Sequence, residues 1–92
     1  MLKEIKITEE MKNELFGVIS KTESADDCAL LFEDLCTKQE IEKMAQRLMA
    51  AKLLMEGKTY NQVIEETDIS SATLSRVSRS VRYGKGYKKF IK

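Results

Sequence analysis

From Ile69 to the C-terminus the chain carries seven basic residues and not one acidic residue. They are Arg76, Arg79, Arg82, Lys85, Lys88, Lys89 and Lys92. The chemistry such a row offers is attraction of phosphate. The formal net charge of +1 hides this asymmetry: residues 1–46 carry six Lys/Arg against eleven Asp/Glu, and residues 47–92 carry ten against four. A charge run alone reads equally well as a solvated tail. The residues just before it decide between the two. Ile69-Ser-Ser-Ala-Thr-Leu-Ser-Arg76 mixes two bulky apolar residues with small and hydroxylated ones. Small residues let a helix approach base edges closely, and arginines reach guanine or phosphate.

Other chemistries are excluded by what the chain lacks. It has no His, and Cys28 and Cys36 lie eight apart with no C-x-x-C. That pattern holds no zinc site, Ser-His triad or Cys-His dyad. The two cysteines read as buried reduced thiols of a cytoplasmic protein. Glu65 and Glu66 sit at helical spacing as solvated carboxylates, so no catalytic residue, cofactor or metal is expected. The stretches free of charge fall well short of the roughly 18 apolar residues of a membrane span, and the N-terminus is mixed acidic and basic, unlike a secretory signal. Ninety-two residues, 42% hydrophobic and 34% charged with no Pro, read as one all-α domain.

Caps divide that domain. Thr8-Glu9-Glu10 opens a helix over about 9–21, with Met11, Leu15, Val18 and Ile19 at helical spacing. Ser24-Ala-Asp-Asp27 opens a second over about 25–35. Thr37-Lys-Gln-Glu40 is a capping box for a third over about 38–56, closed by Gly57. Thr59-Tyr-Asn-Gln62 is another capping box and starts a fourth over about 60–67. Ser70 or Ser71 caps a fifth over about 71–82, which Gly84 and Gly86 end. A basic tail follows and forms at most one last turn.

Residues 59–83 read as a helix-turn-helix. Val63 and Ile64 face inward on its first helix, and Ile69 plugs the corner. Leu74, Val77 and Val81 form the inward stripe of the second helix, with Ala72, Ser75, Arg76, Arg79 and Arg82 opposite. Asp68 occupies the turn position where glycine is common, and Asp tolerates the left-handed conformation better than most residues. The candidate DNA-contacting residues are Thr59, Tyr60 and Gln62, then Ser71, Ala72, Ser75, Arg76, Arg79 and Arg82, with Lys88 on the tail.

The third helix is unusual. At 100° per residue its apolar side chains from Met44 to Met55 point almost all round the axis, which requires burial on more than one side. Either it is the central helix of a tightly packed monomer or it is shared between two subunits. The small size of the chain favours sharing.

Taken together, Leu35-x-Thr37-x-x-Glu40, Arg47, Leu53-Leu54-x-x-Gly57 and Ala72-Thr73-Leu74-Ser75-Arg76 resemble the Trp repressor superfamily. The likeness is strongest to its Trp repressor-related branch in Gram-positive bacteria, the YerC/YecD type. The resemblance implies a Trp repressor-like intertwined helical dimer with a helix-turn-helix. Residues 8–58 would supply the dimerisation helices, 59–83 the helix-turn-helix and 84–92 the basic tail. It further implies a bacterial cytoplasmic homodimer that binds double-stranded DNA as a transcriptional regulator, most simply a repressor. In the Trp repressor, tryptophan lies between two arginines, and Arg47 and Arg76 match those positions. Thr37 and Thr73 match pocket residues. An amino-acid-like corepressor, tryptophan or another, is the implied ligand. The competing reading is a helical protein-interaction module that docks partners on Met44, Met49 and Met55 without specific DNA readout. Such a module has no need of a wholly basic C-terminal run.

Overall fold

The computed structural model describes residues 7–91. Lys92, the last cation of the basic run, lies outside the described residues. The secondary structure is helical: α1 (Glu9–Ile19), α2 (Ala25–Leu35), α3 (Lys38–Met55), α4 (Tyr60–Thr67), α5 (Ser71–Tyr83) and α6 (Gly86–Phe90). The chain divides after Thr37 into two compact units.

The N-terminal unit holds α1 and α2. The hydroxyl of Thr8 accepts from the Met11 N–H at 3.2 Å, and that of Ser24 accepts from the Asp27 N–H at 3.0 Å. Each satisfies one orphan donor of a helix start. Helix α1 stops at Ile19, two residues short of the expected end. There the chain tightens into i→i−3 bonds from Lys21 N–H to Val18 and from Thr22 N–H to Ile19, and the Ser20 and Thr22 hydroxyls also bond carbonyls three residues back. Neither α1 nor α2 has a buried residue. Met11, Leu15, Phe16, Leu30 and Leu35 are all exposed. Cys28 and Cys36 are free thiols, half-buried rather than fully buried as the sequence suggests.

In the C-terminal unit, α3 packs on α4 and α5, so it folds with the helix-turn-helix. Val63, Ile69, Leu74 and Val77 converge on Ala50, Ala51 and Leu53. The two alanines are fully buried, which lets the helices approach closely. Leu54, Ile64, Val81, Tyr87 and Ile91 pack around this core. The remaining apolar side chains of α3 behave differently: Leu48 is 52% exposed and Met49 49%. One side of α3 is therefore covered within the chain and another is open.

Helix α3 ends in a Schellman motif. Gly57 takes φ +91°, and the N–H groups of Gly57 and Lys58 donate to Leu54 and Leu53. Thr59 and Gln62 then form the expected reciprocal capping box of α4. Asp68 ends α4 with φ 60°, the left-handed conformation. The turn is wired to its surroundings. Gln46 Nε2 donates to the Thr67 carbonyl at 2.8 Å, the Thr67 hydroxyl donates to Val63 O at 2.7 Å, and the Ile69 N–H donates to that hydroxyl at 3.3 Å. Ser70, of the two candidate serines, caps α5. Asp68→Gly should leave stability within about 1 kcal/mol of the parent, because relief of left-handed strain offsets the greater entropy of an unfolded glycine. Asp68→Val should cost about 1–2 kcal/mol, since a branched side chain resists that region. Urea melts of the two variants check both numbers.

The tail forms the one turn expected of it and packs back on the core. Residues Gly86–Phe90 form α6, and Tyr87 and Ile91 pack on the core. Lys88 Nζ folds back and donates to the Arg82 carbonyl at 2.8 Å, satisfying an open carbonyl at the end of α5. At Gly84 a Cβ would meet the Ser80 carbonyl oxygen at 2.6 Å, so the turn into α6 needs glycine there.

Candidate nucleic-acid interface

Helix α5 carries its chemistry on the face opposite Leu74 and Val77. Ser71, Ala72, Ser75, Arg76, Arg79 and Arg82 are all exposed, and none is paired with an acid among the described residues. Ala72, Ser75 and Arg79 follow at i, i+3 and i+7 and share one stripe. The start of α4 stands beside the C-terminal half of this helix. Tyr60, Ser75, Ser78, Arg79, Arg82 and Tyr83 line one cleft of about 280 Å³. Thr59 and Gln62 are exposed but partly committed. The Thr59 hydroxyl accepts from the Gln62 N–H and the Gln62 Oε1 accepts from the Thr59 N–H. The hydroxyl proton and the amide NH2 stay available to a ligand. Lys88 is likewise exposed, with one ammonium proton directed to Arg82 O.

A second cleft, of about 570 Å³, opens between α3 and the start of α5. Lys43, Gln46 and Arg47 line it from α3, and Asp68, Ser70, Thr73 and Arg76 from the turn and α5. Arg47, Thr73 and Arg76 thus come together as expected. Thr37 belongs to the N-terminal unit. Lys43, Arg47, Asp68 and Arg76 form no ion pair among the described residues, so Arg47 is not tied to a neighbouring acid such as Glu42. The Ser70 hydroxyl donates to that of Thr73 at 2.9 Å and accepts from the Thr73 N–H at 3.2 Å, fixing the rim.

Sequence reasoning missed Lys43, Gln46, Asp68 and Ser70 in this cleft, and Ser78 and Tyr83 in the other. A signal existed for the first group, because Lys43, Gln46 and Arg47 stand at i, i+3 and i+4 on α3 and so share a face. Tyr83 lies one turn beyond Arg79 and on the same stripe.

Comparison with known proteins bears on what these faces belong to. The family model described as Trp repressor protein matches residues 10–92. The chain belongs to the Trp repressor family. It is 44% identical over 72 residues to the uncharacterized protein YerC of Bacillus subtilis (strain 168), covering 78% of this chain and 69% of YerC. A crystallised TrpR like protein from Eubacterium eligens shares the fold with a TM-score of 0.81 at 41% identity, over 89% of this chain and 84% of that one. A crystallised protein from Staphylococcus aureus does so with a TM-score of 0.83 at 38% identity, over 89% and 83%. The all-helical architecture of this Trp repressor family member is therefore the one its sequence implied. Among the described residues no helix is long and apolar enough to cross a membrane, and no cluster of His, Cys, Asp or Glu could hold a metal ion.

Proposed function

We propose that this Trp repressor family protein is a sequence-specific DNA-binding transcriptional regulator, a repressor acting as a homodimer in the bacterial cytoplasm and without catalytic activity. The observation that carries the reading is α5. It is a helix anchored from behind by fully buried Leu74 and nearly buried Val77 and presenting only small, hydroxylated and cationic residues in front. A helix of that composition fits the major groove, where Ala72, Ser75 and Arg79 meet base edges. Arg76, Arg82 and the start of α4 then meet the backbone, whose contacts fix the register. Selection of bound sequences from random duplexes tests the reading.

The homodimer rests on area left uncovered. Phe16 is 62% exposed, Leu30 64% and Leu48 52%. Unpaired apolar faces of this kind mark an interface. Light scattering at micromolar concentration should return twice the chain mass of 10.5 kDa. A folded monomer contradicts the dimer.

The α3/α5 cleft supports control by a small effector. Three cations without acid partners face it against the single carboxylate of Asp68. Two guanidinium planes also stack on a flat ring. The ligand that fits is amino-acid-like with at least one carboxylate, and tryptophan is one candidate. Calorimetric titration with a panel of amino acids should find binding that Arg47→Ala weakens by at least tenfold, the loss of about one charge-assisted hydrogen bond. Binding unchanged in Arg47→Ala would place the effector elsewhere.

A further inference from the structure

The cleft between the first turn of α4 and the C-terminal half of α5 has a composition of its own. Its six lining side chains are two tyrosines, two serines and two arginines, with no carboxylate among them. None of the six side chains hydrogen-bonds or pairs with another protein group among the described residues. Side chains that only pack would offer apolar atoms here, and side chains that only solvate a surface would be interspersed with acids. This cleft instead collects hydroxyl and guanidinium donors around one concavity of about 280 Å³. Such a set matches a diffuse oxyanion with several acceptor lone pairs and no proton of its own to give.

Two structural features hold the donors in place. Tyr60 is the first residue of α4 and lies inside the Thr59–Gln62 capping box, so its backbone is fixed by that reciprocal pair. Tyr83 is the last residue of α5, and the Lys88 bond to the Arg82 carbonyl closes the helix end beside it. Tyrosine places a hydroxyl at the end of a rigid ring at low entropic cost. Arg82 lies on α5 next to Tyr83 and adds the charge.

We propose that this cleft seats one DNA backbone phosphate in each half-site, gripped by the Tyr60 and Tyr83 hydroxyls and the Arg82 guanidinium. The proposal rests on the DNA-binding reading above and adds the residues that set how α5 enters the groove. A phosphate held between α4 and the end of α5 fixes the helix at two points, so the seat positions the reading residues rather than reading bases itself.

The test uses the full-length protein and a duplex it selects. Tyr60→Phe and Tyr83→Phe remove one hydroxyl each from exposed side chains, and thermal melts confirm that both fold. Each variant should lose about tenfold in affinity per half-site, about a hundredfold for the dimer, on selected and scrambled duplexes alike, as expected for one hydrogen bond to a charged group in each half-site. A series of duplexes with single methylphosphonate substitutions, each neutralising one phosphate, then locates the contact. At one position per half-site the wild-type protein should lose affinity and the Tyr83→Phe protein should lose no more. Tyrosine variants that bind all duplexes like the wild type overturn the seat while leaving the DNA reading intact. A loss that persists undiminished at every neutralised position assigns the tyrosines to the bases and also overturns it. A wild-type protein that binds no duplex overturns the DNA reading and the seat with it.

Discussion

Ile69→Asp should unfold the helix-turn-helix and abolish DNA binding. Ile69 is 2% exposed at the corner between α4 and α5 and touches the cluster built on Ala50, Ala51 and Leu53. Burying its side chain contributes about 2 kcal/mol, and this is lost. An aspartate there would have to ionise in an apolar site with no cation to pair it, or protonate to avoid that, at a further cost of about 2 kcal/mol or more. The sum is a large fraction of the total stability of a domain this small, which is about 5–10 kcal/mol. Circular dichroism should show a lowered midpoint and a loss of helix, and binding to any duplex should vanish. Ile69→Val, which removes one methylene, should cost only about 1 kcal/mol and retain binding. Normal binding by the Ile69→Asp protein would show that the corner does not organise the head.

Arg79→Ala should weaken binding to the selected sequence by about 1–3 kcal/mol per half-site and relax base preference at one position. A symmetric dimer carries the substitution twice, so the total is about 2–6 kcal/mol. Arg79 is exposed, unpaired among the described residues, and aligned with Ala72 and Ser75 on α5. Its small neighbours leave it as the longest reaching side chain on that stripe. Binding to selected and scrambled duplexes at several salt concentrations separates reading from attraction. A base contact lowers the first affinity more than the second, whereas a phosphate contact lowers both and flattens the salt slope by about one unit. Because Arg79 also borders the tyrosine-lined cleft, equal losses on both duplexes would make it part of the phosphate grip and move base readout toward Ala72 and Ser75.

Much of this architecture is legible in the chain because its helices are bounded by local chemistry. Thr8, Ser24, Thr59 and Ser70 act within three residues of themselves, and Gly57 acts within one turn, so a linear reading finds them. The all-round apolar character of α3 is also local, and the structure buries one side of it while leaving Leu48 and Met49 half exposed. What escaped the reading depends on distant partners. Gln46 bonds Thr67 across 21 positions, and neither residue announces the other. The packing of Tyr87 and Ile91 was hidden by the charges around them, although their i, i+4 spacing is that of a helix face. Both clefts gather residues from separate helices, so their membership follows from how α3, α4 and α5 pack.

On the function proposed above, α5 reads a DNA sequence on behalf of a symmetric dimer. The measurement that tests it most directly is selection from a pool of random duplexes by the full-length protein, followed by sequencing. The account predicts enrichment of a palindrome whose half-sites lie about one helical turn, ~34 Å, apart. A selected pool as random as the starting one, bound with a purely salt-dependent affinity, would contradict it.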